Sequence, residues 1–389
     1  MREQQTQKQI LDDEIVAPQD FVFGEKDEDK LMLECGREFG PINIRYETFG
    51  RLTDNKDNAI LILHALSGDA HVSGYYGRNR EKPGWWINMV GPGKAFDTRK
   101  YFIVCSNVLG GCSGSTGPRS IDPNTGKRYN MRFPVITISD MVNAQYRLMK
   151  HLGISKWLCL SGGSMGGMQV LQWAVSYPDC VGSIIPIATT SRLSPQGIAF
   201  NWVGREAIMR DPSWKNGEYE EIGPEKGLST ARMLAHITYL SDESMQEKFG
   251  RSLQDSEKYS YDFEYDFKVE SYLKHQGEKC VERFDANSYL YITRAMDYFD
   301  LSAAYSGDLS AAFKNFKSPA LIISFTTDWL FPPAQSREIV SALQANLIDV
   351  SYCEIDAKGG HDSFLLDDKT LSRLVADFLK NRLEEVRNA

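Results

Sequence analysis

A serine set among glycines, Gly162-Gly163-Ser164-Met165-Gly166-Gly167, constrains this chain more than any other stretch. It contains the G-x-S-x-G pattern of a nucleophile elbow, which needs a strand before it and a helix after it. Residues 156–160 form an apolar run that reads as a buried strand. Residues 168–175 read as a helix. In that context the turn forces the serine into a strained backbone conformation, and the glycines let neighbouring elements approach closely. The hydroxyl then stands at the C-terminal edge of a sheet and at the N-terminus of a helix. A bystander serine in a glycine-rich turn would not require these flanks.

Other strand signals repeat the pattern. Residues 59–64, 101–105, 183–188, 320–325 and 350–355 are short apolar runs, as expected for strands covered on both faces. Residues 30–35 and 43–48 alternate and are split by Gly36 and Gly40-Pro41, which predicts an antiparallel hairpin leading into the sheet. Helical periodicity lies between the strands, at 139–152, 335–347 and 369–386. Strands alternating with helices predict a mostly parallel sheet with helices on both faces. With a serine elbow, this is the α/β-hydrolase architecture.

From 189 to 316 the strand pattern stops. The stretch is too long for a loop in a compact domain. Helical candidates fall at 195–210, 229–239, 242–249, 269–284 and 287–297. We therefore expect a core over 20–190 and 317–389, and an inserted helical cap over 191–316 that roofs the serine. Residues 1–19 begin with a polar run and are expected to be disordered.

Bulk properties narrow the function classes. The net charge of −8 argues against nucleic acid or an anionic membrane as the main partner. No apolar run reaches the ~18 residues a membrane span needs, and no signal peptide is evident. The seven cysteines are scattered without a C-x-x-C, which predicts reduced thiols and a cytoplasmic protein.

On this fold the acid and the histidine follow the serine in chain order. Strand 320–325 is followed by Asp328, with Pro332 and Pro333 starting a helix. Strand 350–355 is followed by Gly359-Gly360-His361-Asp362. Ser164 is a weak nucleophile on its own, so a neutral imidazole, His361, must take its proton. Asp328 must hold the other ring nitrogen and stabilise the imidazolium. His151, His236 and His275 are placed less well for this role. The oxyanion hole needs two backbone N–H groups. Met165 supplies one. The loop 64–71 supplies the other, at Leu66 by register, with Ala65 the alternative. His64 and His71 bracket that loop, but no companion ligand spacing supports a metal.

Together these residues resemble the homoserine O-acetyltransferases. The resemblance rests on the elbow 162–169, on 107–118, on His64-Ala65-Leu66-Ser67-Gly68-Asp69, on Trp85-Trp86, on 91–98 and on 360–365, in that family's order. It implies acetyl transfer from acetyl-CoA, through an acyl-serine, to the γ-hydroxyl of L-homoserine, giving O-acetyl-L-homoserine for methionine synthesis. Acetyl-CoA would be a co-substrate, with no permanently bound cofactor. The resemblance also assigns the homoserine zwitterion to Arg232 and Tyr239, matched on a cap helix, and to Asp362. Arg232 and Tyr239 are seven residues apart, so both can point down one helical face. Asp362 also fits a helix N-cap. A homodimer through the cap is a further implication. Ser67 departs from the threonine many members carry, and Ser113 falls at a variable position.

Three alternatives stand beside this reading. Relatives of the family transfer succinyl groups or acylate serine. Val108 stands where the succinyl enzymes carry a second asparagine, and so favours acetyl. A carboxylesterase needs no clamp for a zwitterion, and a catalytically dead binding protein needs no intact triad.

Overall fold

The structure, a computed structural model, describes residues 15–77, 79, 81–220 and 222–388. Its centre is an eight-stranded sheet built from β1 (Gln19–Phe23), β2 (Ile42–Phe49), β3 (Ala59–Leu63), β4 (Phe102–Ser106), β5 (Cys159–Gly163), β6 (Ile184–Ile187), β7 (Ala320–Phe325) and β8 (Val350–Ile355). The spatial order is β1-β2-β4-β3-β5-β6-β7-β8. β2 runs antiparallel to both β1 and β4, and all later neighbours are parallel. The α/β-hydrolase expectation is borne out.

The continuous apolar runs have the cause expected of them. Leu61, Leu63, Val104, Leu160 and Ile184 enter one hydrophobic cluster, while Ile60, Ile62, Ile103, Cys105, Cys159 and Ile185 enter another. Successive side chains point to opposite faces, so both faces are buried. Helices α1 (Ile138–His151) and α2 (Met165–Ser176) feed the first cluster. A capping box between Thr137 and Asp140 starts α1, a device worth roughly 1 kcal/mol. At the other end of the chain, α9 (Lys369–Asn388) buries Leu371, Val375, Leu379 and Leu383 in the second cluster, one residue per turn.

Two expectations at the N-terminal end are corrected. Residues 30–35 do not pair with 43–48. Leu31–Met32 instead pairs with Glu38–Phe39, because the turn at Gly36, with φ +81°, closes the chain back locally. β2 then pairs with β1, Phe21 opposite Ile44. β1 carries only three apolar or aromatic positions, Phe21, Val22 and Phe23, too few to show a strand period. The expectation of disorder does not hold for residues 15–19: Ile15 bridges Tyr75, and Gln19 already belongs to β1. Residues 1–14 lie outside the described residues.

Between β6 and β7 the described chain contributes no strand to this sheet. It forms α3 (Pro195–Met209), α4 (Glu225–Tyr239), α5 (Asp242–Lys248), α6 (Lys268–Val281) and α7 (Ala286–Asp297). The chain then returns to the core and adds α8 (Pro333–Ala345) after β7. Ser194 caps α3 and Asp285 caps α7, each accepting a backbone N–H in the first turn. Within this helical layer Arg205 pairs with Asp297, both almost fully buried. Among the described residues no helix is long and apolar enough to cross a membrane.

Candidate active site

Ser164 stands between β5 and α2 with φ 58° and ψ −124°, a conformation that costs a non-glycine residue on the order of 1–3 kcal/mol. The surroundings enforce it. A side chain at Gly162 would bring its Cβ to 2.6 Å from the Leu63 carbonyl oxygen, and one at Gly166 would collide with the same oxygen. The Ser164 N–H donates to the Ile187 carbonyl at 3.0 Å. The Ser164 carbonyl accepts from Thr189 Oγ1 at 2.8 Å. The serine is 7% exposed and faces a cavity of about 50 Å³. Leu66, Leu193, Phe200, Tyr239, Tyr289, Met296 and Phe331 are among its walls, so α3, α4 and α7 roof the serine. A larger groove, about 950 Å³, lies at the N-terminal ends of β3 and β4. It is remote from this chemistry, and parallel sheets bind their ligands at the other end.

His361 and Asp328 come from the loops after β8 and β7. His361 Nδ1 is 2.8 Å from Asp328 Oδ2, and both residues are buried. The other oxygen, Asp328 Oδ1, accepts the N–H groups of Leu330 at 3.1 Å and Phe331 at 2.9 Å. The carboxylate is therefore held by three donors. Burial disfavours charge on His361, but the Asp328 carboxylate outweighs it and raises the imidazole above its ordinary value. Thr327 Oγ1 joins the two loops by donating to the Ala357 carbonyl and accepting the Gly360 N–H. Phe364, one turn past His361, lies against Gly163, where any side chain would strike its ring. This packing sets the histidine loop beside the elbow.

Arg232 and Tyr239 share α4. Arg232 Nη1 is 3.2 Å from Ser67 Oγ, and its guanidinium lies 5.5 Å from the Tyr239 ring centre. The Tyr239 ring is in turn 5.9 Å from the ring of His361. Asp362 follows His361 in a short 3₁₀ turn that starts after Gly359. Burial lifts its carboxyl above the ordinary value, while His361 and Arg232 pull it down. The N-cap role for Asp362 is not realised, since no N–H donates to it among the described residues. Ser363 Oγ instead donates to the Gly360 carbonyl. The end of α4 is locked to the loops that carry Asp328 and His361. Trp329 Nε1 donates to the Leu240 carbonyl at 2.9 Å. Gly360, at φ +69°, leaves no room for a side chain against Ser241.

Met165 follows Ser164 in the elbow and Leu66 lines the same cavity as Ser164, and neither N–H is taken by a backbone carbonyl among the described residues. The two histidines that bracket the loop turn to different partners. His64 Nδ1 faces the Ala65 carbonyl at 2.7 Å, and its Nε2 accepts the Val108 N–H at 3.1 Å. His71 faces an acceptor at each nitrogen: Glu47 Oε2 at 2.9 Å and the Lys82 carbonyl at 2.9 Å. Two acceptors require two ring protons, so His71 is an imidazolium. Burial opposes that charge, yet the hydrogen bond to Glu47 and its carboxylate raise His71 above its ordinary value. Tyr76 completes the group with a 2.5 Å bond to Glu47 Oε1. The sequence carried little sign of this cluster, because Glu47 sits in an alternating strand like any solvent-facing residue.

Sheet order, elbow and loop positions define an α/β hydrolase, and a profile of that fold matches residues 58–368. The similarity extends to particular relatives. A homoserine O-acetyltransferase of Methanohalobium evestigatum is 57% identical over 354 residues, spanning 91% of this chain and 72% of its own length. Another, from Solidesulfovibrio magneticus, is 54% identical and spans 93% of this chain and 92% of its own. The solved homoserine O-acetyltransferase of Bacillus anthracis superposes with a TM-score of 0.87 at 31% identity, covering 94% of this chain and 98% of that one. Esterase E22 superposes at 0.86 with 30% identity, covering 94% and 100%. The chain belongs to the homoserine O-acetyltransferase family.

Proposed function

We propose that this enzyme moves an acetyl group from acetyl-CoA to the γ-hydroxyl of L-homoserine through an acyl-Ser164 intermediate. Ser164 Oγ attacks the thioester carbonyl as His361 Nε2 takes its proton. Asp328 holds the imidazolium through Nδ1. The oxyanion is met by the N–H groups of Leu66 and Met165, each such donor contributing about 2.7–4 kcal/mol. Collapse breaks the C–S bond, and His361 returns the proton to the departing thiolate. The γ-hydroxyl then repeats the sequence on the acyl-serine, so the reaction is ping-pong. Its product, O-acetyl-L-homoserine, would serve methionine synthesis. Acetyl-CoA acts as a co-substrate, and no resident cofactor enters these steps.

The observation that carries this reading is the enclosure of Ser164. Its cavity is about 50 Å³, and among the described residues that line it none is a lysine or arginine. An acetyl group suits such a space. A succinyl group would bring a buried carboxylate without a cation, which is costly. Arg232 packs on Tyr239, a wall of the cavity, and Asp362 follows His361 in the chain, so a cation and an acid are available as the complement of a zwitterion. Arg232 binds the carboxylate, assisted by Tyr239, and Asp362 binds the ammonium. The roof formed by α3, α4 and α7 excludes water, which would otherwise take the acyl group.

The likeness to esterase E22 favours hydrolysis as the second reading. Release of CoA is the deciding measurement, with acetyl-CoA or succinyl-CoA offered against homoserine, serine or water alone. Fast release only with acetyl-CoA and homoserine together supports the transferase. Equal release in water supports the esterase.

Two further expectations belong to this reading. Seven cysteines without a disulfide support a reducing, cytoplasmic setting. A homodimer through the helical layer is supported by α3, which turns Ile198, Trp202 and Val203 to solvent beside Ile237 of α4.

A further inference from the structure

The N–H of Leu66 shares a peptide plane with the Ala65 carbonyl, and the N–H of Met165 shares one with the Ser164 carbonyl. A trans peptide points its two polar groups in opposite directions. Whatever grips the carbonyl therefore aims the N–H. The Ala65 carbonyl is gripped twice, by His64 Nδ1 at 2.7 Å and by the Gly68 N–H at 2.9 Å. The Ser164 carbonyl is also gripped twice, by Thr189 Oγ1 at 2.8 Å and by the Met168 N–H at 3.1 Å. In each pair one donor is backbone and one is a buried side chain.

The protonation of His64 is dictated by its neighbours. An amide N–H can only donate, so the Val108 N–H requires an unprotonated Nε2. The proton must then sit on Nδ1, aimed at Ala65. Burial pushes the imidazole below its ordinary value and keeps it neutral. A third side chain spans the two segments. Trp173 Nε1 donates to Gln145 Oε1, which turns the Gln145 amide NH₂ to Gln169 Oε1. The Gln169 NH₂ is thereby left to the carbonyls of His64 and Met165, at 3.2 and 3.3 Å.

We propose that His64 and Thr189 are positioning residues of the oxyanion hole, each fixing one of its two peptides from behind, with Gln169 setting the distance between them. This rests on the reading of Ser164 as the acylated residue with Leu66 and Met165 as oxyanion donors. Neither His64 nor Thr189 touches the reacting atoms. Their effect falls on the tetrahedral state, where the donors must meet a full charge, and spares ground-state binding.

Thr189→Val tests this with the loss of a single hydroxyl at nearly constant volume. Acylation of Ser164 by acetyl-CoA should slow about tenfold, and His64→Gln should slow it up to about 10²-fold, the scale of a displaced catalytic group. Methylboronic acid, which adds to the serine as a tetrahedral anion, should lose affinity by the same factor. The dissociation constant of homoserine should not move. Thr189→Ser should restore both rate and boronate affinity. A Thr189→Val protein that melts like wild type and acylates at the wild-type rate overturns the proposal. So does a parallel loss of boronate and homoserine affinity, which marks a structural role. If His64→Gln does not fold, Thr189→Val alone decides. Failure of wild type to acquire an acetyl group on Ser164 refutes the covalent reading itself, and this inference with it.

Discussion

The guanidinium of Arg232 lies over the ring of Tyr239, 5.5 Å from its centre, and reaches Ser67 across the mouth of the site. The contact holds a cation against Tyr239, a wall of the Ser164 cavity, with no carboxylate paired to it among the described side chains. Removing one partner of a buried charge pair costs about 3–5 kcal/mol. Arg232→Ala should therefore lower kcat/KM for homoserine by roughly 10²–10³. Acylation by acetyl-CoA should be nearly unchanged, and Arg232→Lys should recover part of the loss, lacking the bidentate fork. Single-turnover acylation and a homoserine titration on the same variant check this. Lost acylation with normal homoserine dependence would place Arg232 on the CoA side.

Ser164→Ala should remove transfer while the protein stays folded, and His361→Ala should cost nearly as much. Each loss is expected on the order of 10⁴ or more, without adding in the double variant. Incubation with acetyl-CoA alone should add one acetyl group to the peptide containing Ser164, and peptide mass spectrometry reads this directly. A Ser164→Ala protein keeping more than about a tenth of wild-type turnover would end the covalent mechanism.

Asp328→Asn makes a sharper demand. The two N–H donors at Oδ1 require an oxygen there, so the new amide NH₂ must face His361. It would impose a proton on Nε2, the wrong tautomer for a base. Turnover should fall by about 10⁴ with little change in homoserine affinity. Turnover near wild type would mean that Asp328 does not orient the base.

Activity should lose its acid side above pH 6.5, because His361 must be neutral to accept a proton and its folded value is raised. The pH profile of kcat/KM for acetyl-CoA reports this ionisation in the free enzyme. An acid limb centred below 6.5 would contradict the assignment.

Stability should show a different ionisation. His71 carries its proton in the fold at pH values where an unfolded imidazole, with its ordinary value of 6.5, has lost it. Its contribution is complete below 6.5 and disappears as pH rises through the higher folded value. Melting temperatures followed upward from pH 6.5 should decline in wild type more than in Glu47→Gln, which lacks the anion. Parallel slopes would assign the decline elsewhere.

Much of this fold was legible because its strands are short apolar runs with helical periodicity between them, and Ser164, Asp328 and His361 stand at strand ends. The α3 and α7 segments were found to within a residue or so, since Pro195 and Asp285 mark their starts. The N-terminal end was less legible. Ile42–Phe49 pairs with Gln19–Phe23 and with Phe102–Ser106, partners that its own residues do not specify, and Gln19–Phe23 has too few residues to show a period. The grip of Thr189 on the Ser164 carbonyl had no local signal at all. It exists because two parallel strands end side by side, a relation made by the sheet and absent from any sequence window.

The helical layer leaves the sheet after β6 and returns at β7, two strands that are immediate neighbours. The chain ends it departs from are already held together by the β-ladder. Lengthening a closed loop costs little, about 0.6 kcal/mol per doubling. The roof over the serine is therefore free to be enlarged, shortened or replaced over evolutionary time without taxing the scaffold, and the choice between water and an amino-acid hydroxyl can drift while the elbow beneath stays the same.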